Sequence, residues 1–66
     1  MDSLDAYRAA NLLIQQHGHN ARAHAIRRVL AMRAAGDERG EWAWMGVFDA
    51  VLALQATQPV KGQPIH

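Results

Sequence analysis

Three histidines, His17, His19 and His24, come closest in this 66-residue chain to a set of metal ligands. Imidazole nitrogens suit zinc, nickel or copper. His17 and His19 flank Gly18, and His24 follows one helical turn into the next helix. A structural zinc site takes four ligands at recognisable spacing, and a catalytic one takes three plus a held water. No carboxylate lies near this cluster in sequence to orient a ring. The expectation is therefore no metal and no other cofactor. His17 then closes the end of the first helix, where a cation meets the dipole favourably.

A second chemistry is phosphate binding. The stretch 21–35 carries Arg22, Arg27, Arg28 and Arg33 and no acidic residue, and a basic helix is one footprint of a nucleic-acid-binding protein. A groove-reading helix needs its basic residues on one face. On a helical wheel Arg22 and Arg33 fall near the middle of the apolar arc, while Arg27 and Arg28 lie on the far side, about 100° apart. Glu38, Glu41 and Asp49 on the following helix would repel phosphate. The arginines are expected to pair with carboxylates or to lay their stems over the core. A nucleic-acid-associated protein using the second helix is kept as the alternative function.

Catalytic chemistry has the least to work with. The hydroxyl side chains are Ser3, Tyr7 and Thr57, and there is no cysteine to serve as a thiolate. No glycine-rich phosphate loop follows a strand. Asp37, Glu38 and Glu41 are accounted for by capping and the helix dipole. A chain this short is also expected to lack the cleft of about 300 Å³ or more that holds a small-molecule substrate. No enzyme is expected.

Interface chemistry offers more. Trp42 falls about 160° from Trp44 on a helical wheel, on the side shared by Glu38, Met45 and Asp49. If Trp44 faces the core, Trp42 faces water. Tryptophan and methionine are favoured at protein interfaces, where a rigid aromatic anchors the contact. Trp42, Met45 and Asp49 are therefore the candidate protein-interaction residues. The competing reading folds Trp42 back over the first turn of its helix to cover the preceding loop.

These residues are positioned by three helices. Glycine-bearing turns at His17-Gly18-His19-Asn20 and Ala35-Gly36-Asp37 punctuate the chain, each setting a residue tolerant of left-handed backbone beside a helix-capping side chain. The first helix is predicted from about Leu4 to Gln16, capped by Asp2 or Ser3. Ala6, Tyr7, Ala10, Leu13, Ile14 and His17 share its core face, and Leu12 points away. The second begins after Asn20 as N-cap and ends near Ala35, with Ala25, Ile26, Val29, Leu30 and Met32 as its apolar arc. The third runs from Glu38, capped by Asp37, to about Ala56. Trp44, Val47, Phe48, Val51 and Leu54 recur at helical spacing along it. Gly40 and Gly46 each weaken this helix by about 1 kcal/mol relative to Ala.

The expected architecture is an all-α three-helix bundle over residues 1–56, followed by a Pro- and Gly-containing tail over 57–66. Half the residues are apolar, but many are alanine and few are aromatic, so the core is thin and self-association is open to the chain. No run approaches the ~20 apolar residues of a membrane span, and no basic-then-apolar leader is read at the start. The expected setting is cytoplasmic, with a protein partner or a second copy, and neither membrane nor substrate. The formal net charge of +1 implies no partner.

Tyr7-Arg8-Ala9-Ala10-Asn11-Leu12-Leu13-Ile14, then His17-Gly18, His24-Ala25, Arg28 and Ala35-Gly36-Asp37, with Gly40, Trp44 and Val51, resemble a family of short uncharacterised bacterial helical proteins. The likeness covers residues from about 5 to 55 and consists of turn and core signals. It implies an all-helical fold and brings no function with it. Trp42 and Gly46 depart from that pattern, where ordinary helix-surface residues are expected.

Overall fold

The computed structural model describes residues 3–57, and these are all-helical. The elements are α1 (Ser3–His17), α2 (Ala21–Ala34) and α3 (Glu38–Thr57), with a single 3-10 turn at Gly18–Asn20 joining α1 to α2. Of the expected tail, only Thr57 lies within the described residues, and it closes α3. Ser3 is itself the first residue of α1, and Asp2 lies outside the described residues.

The two turns work differently. Ala35-Gly36-Asp37 is as expected. Gly36 takes φ +73, its N–H reaches the Arg33 carbonyl at 3.1 Å, and the Asp37 N–H reaches the Met32 carbonyl at 2.9 Å. This is the paired closure of a helix end that a left-handed residue permits. Asp37 then caps α3, its Oδ1 accepting from the Gly40 N–H at 2.9 Å. The first turn corrects the expectation. No loop separates α1 from α2: Gly18 takes φ +59, and the chain passes through the 3-10 turn straight into α2. Asn20 has helical dihedrals and makes no side-chain capping bond. The Ala21 N–H bonds the Gly18 carbonyl, and Asn20 is held in helical dihedrals where a capping residue takes extended ones. Gln55 Nε2 donates to the Gly18 carbonyl at 3.2 Å and ties the turn to the end of α3.

α3 packs along both other helices, and α1 and α2 touch one another least. Arg33 of α2 meets Glu41 near the start of α3, and Arg22 lies by Leu52 and Gln55 near its end, so α2 and α3 are antiparallel. Ala6 lies against Gly46, and Gly18 is held by Gln55, so α1 runs parallel to α3.

Of the nine buried apolar residues among those described, Ala6, Ala10, Ala21, Ala25 and Ala50 are alanine, joined by Leu13, Val29, Val47 and Val51. Small side chains let the helix axes approach closely, and each contributes little area. Ala9, Ile14, Trp44, Phe48 and Leu54 pack around this cluster half-buried. The broad apolar arc predicted for α2 is not buried as a whole. Its seam is Ala21, Ala25 and Val29, while Ile26 and Leu30 are exposed at 38% and 51%. Close approach through alanines narrows the contact, and residues some 100° off the seam do not reach the neighbouring helices.

Candidate functional site

Among the described residues no polar or charged side chain is buried. The apolar material at the surface is considerable: Leu4, Tyr7, Leu12, Ile26, Leu30, Trp42, Met45 and Leu52 are all exposed.

Trp42 is the most exposed of them at 73%. The Asp37 cap fixes where α3 begins, and from there Glu38, Trp42, Met45 and Asp49 follow at spacings of four, three and four along its outer side. Trp44, two residues on, is half-buried in the seam between helices.

Beside this row runs an open groove of about 820 Å³, which corrects the expectation that the chain has no cleft. Its floor is Ala6, Ala43, Gly46 and Ala50, with Tyr7 on the α1 side and Trp42 on the α3 side. A Cβ at Gly46 would meet only the Ala6 Cβ, at 3.9 Å. Small residues on two parallel helices leave the space, and aromatic rings stand at its edges. Glu38, Arg39 and Asp49 supply its charge. Tyr7, placed by sequence on the core face, is exposed at 41%. The signal that could have found the groove is the run of small residues at 43, 46 and 50 opposite Ala6.

The arginines do not form one basic face. Arg33 is bound to Glu41, with NH2 to Oε2 and Nε to Oε2 both at 2.9 Å. The Arg28 guanidinium lies over the Trp44 ring at 5.2 Å, a cation–π distance. Arg22 lines a shallow hollow with His19, Leu52, Gln55 and Ala56. Arg27 is exposed on the outer side of α2.

The structure brings His17 and His24 together and leaves His19 apart. The two rings stack at 4.5 Å between centroids with 16° between planes. The edge of His24 then meets Trp44 at 6.3 Å. Face-to-face stacking does not converge two nitrogen lone pairs on one point, as a shared metal requires. No group of three or more His, Asp or Glu among the described residues is arranged to hold a metal ion. The His24 pKa is pushed below its ordinary 6.5, first by burial and then by His17, Arg27 and Arg28.

No helix among the described residues is long and apolar enough to cross a membrane. The chain matches no protein-family model, no curated protein and no solved structure.

Proposed function

We propose that this chain is a non-catalytic helical interaction module, a three-helix bundle that docks on another polypeptide through the outer face of α3. The observation that carries the reading is Trp42, a large aromatic exposed at 73% while the buried core is mostly alanine. Met45 and Asp49 flank it on the same face. Aromatic anchors at the centre of a contact supply most of its energy, and a row of exposed large apolar side chains marks a surface that gains by being covered. Kinship with the small bacterial helical proteins and a cytoplasmic setting belong to the same proposal. They are supported by the turn and core motifs and by the lack of cysteine.

The test is Trp42→Ala. The variant keeps its helical circular dichroism but loses mass in light scattering, or loses affinity for a partner recovered from the native cell. A monomeric wild-type chain whose partner affinities are all unchanged by Trp42→Ala refutes the reading. The nucleic-acid alternative draws less support, because Arg28 and Arg33 are already engaged by Trp44 and Glu41. It predicts retention on nucleic acid at low salt that falls steeply as salt rises.

A further inference from the structure

α2 and α3 carry matching rows of opposite charge. On α2, Arg22, Ile26, Leu30 and Arg33 follow at spacings of four, four and three. On α3, Glu38, Trp42, Met45 and Asp49 follow at four, three and four. Each row is charge, apolar, apolar, charge, and each runs over twelve residues, about 16 Å of helix between its ends. Each also fits within about 80° of its helix face. All eight residues are exposed, and α1 packs against other faces of both helices.

We infer that the partner of this module is a second copy of the same chain, with α2 of each copy laid on α3 of the other about a two-fold axis parallel to the helices. This rests on the interaction-module reading and deepens it. Within one chain Arg33 stands beside Glu41 and Arg22 beside Leu52. That axis preserves height, so Arg22 comes level with position 52 of the second copy and Arg33 with position 41. Asp49 and Glu38 of the second copy each lie three residues further along in the same direction, about 4.5 Å, within the sweep of an arginine side chain. One register therefore pairs Arg22 with Asp49, twice by the two-fold, and sets Glu38 beside Arg33, whose guanidinium already binds Glu41 of its own chain, so the charge match rests on Arg22 and Asp49.

The apolar centre closes Ile26 and Leu30 over Trp42 and Met45, with Leu52 at the side. A two-fold perpendicular to the helices would instead set α2 on α2 and α3 on α3, with arginines facing arginines and carboxylates facing carboxylates. Like charges set against each other reject that arrangement.

Charge reversal with analytical ultracentrifugation tests the pairing, circular dichroism confirming the fold of each chain. Wild type is expected to be a dimer that weakens with added salt, and Trp42→Ala should weaken it about thirtyfold or more, as for a central anchor. Arg22→Asp and Asp49→Arg, each alone, place like charges together twice per dimer and should each weaken it about tenfold. Mixed in equal amounts, the two variants form a heterodimer in which the two reversed side chains face each other as an ion pair. The unchanged Arg22 of one copy then faces the unchanged Asp49 of the other, and dimer affinity should return.

A dimer unaffected by Arg22→Asp, or a mixture no tighter than its components, overturns the pairing and leaves the interaction-module reading standing. A wild-type chain monomeric up to about 1 mM, an affinity floor near −4 kcal/mol, overturns the dimer. The partner assay with Trp42→Ala then decides the broader reading separately.

Discussion

The two glycines inside α3 should respond to the same substitution with different outcomes. At Gly46 an added Cβ meets only the Ala6 Cβ, at the ordinary contact distance of 3.9 Å. Gly46→Ala therefore keeps the helix-propensity gain of about 1 kcal/mol. For a domain of this size that raises the melting temperature by about 4–8 °C. At Gly40 the added Cβ would stand 2.5 Å from Asp37 Oδ2 and 2.7 Å from Met32 Sδ. The thioether can swing away, but the carboxylate is the N-cap and must turn against its bond to the Gly40 N–H. A disturbed cap costs about 1 kcal/mol, and forced repacking adds to it. Gly40→Ala should thus end between no gain and a loss of about 1 kcal/mol, because the same propensity term is offset. Thermal and urea denaturation followed by circular dichroism read both. A Gly40→Ala variant stabilised as much as Gly46→Ala would refute the assignment of Asp37 and Met32 as the constraint.

Three further outcomes follow from particular contacts. Trp44→Ala removes the ring that carries Arg28 and meets His24. It should destabilise by about 2–3 kcal/mol, below the range for a fully buried tryptophan, whereas Trp42→Ala, measured at concentrations where the chain is monomeric, stays within about 0.5 kcal/mol; equal losses in denaturation would contradict the packing. Gly36→Ala should cost about 1 kcal/mol through its φ of +73 alone, and Gly36→Asn should cost less in the same melt, since asparagine tolerates that backbone. His24 has a depressed pKa in the fold, so the unfolded chain binds its proton first. Its contribution is complete above pH 6.5 and is lost as pH falls through the window below it. Stability measured from about pH 7.5 to 5 should therefore decline toward acid, and His24→Gln should flatten that slope.

Much of the fold was legible because local chemistry set it. Gly36 and Asp37 name a helix end and a helix start in adjacent residues, and the structure closes and caps at those positions. The separation of Trp42 from Trp44 follows from helix geometry alone. The Gly18 turn was harder: Asn20 reads as a cap in sequence, but the continuous 3-10 turn holds it in helical dihedrals that a cap does not adopt. Ile26 and Leu30 fell on the predicted arc because a wheel gives the direction of burial, not its width. That width depends on how near the neighbouring helices come, and the alanines of α2 bring them near. The groove beside Trp42 was invisible for the same reason, being the space left by small residues on two helices that are not consecutive in the chain.

An interior assembled largely from methyl groups reverses the usual pattern of mutational damage. Most small domains are harmed when atoms are taken away, but here there is little to take: among the described residues Val51 is the largest side chain sealed completely from solvent. Harm should come instead from bulk. A leucine at 10, 21 or 25, each wholly enclosed, has nowhere to go without prising two backbones apart. Evolutionary drift in such a protein is confined from above, by an upper limit on side-chain size at those sites, while outer surface that touches no partner stays free to change its chemistry.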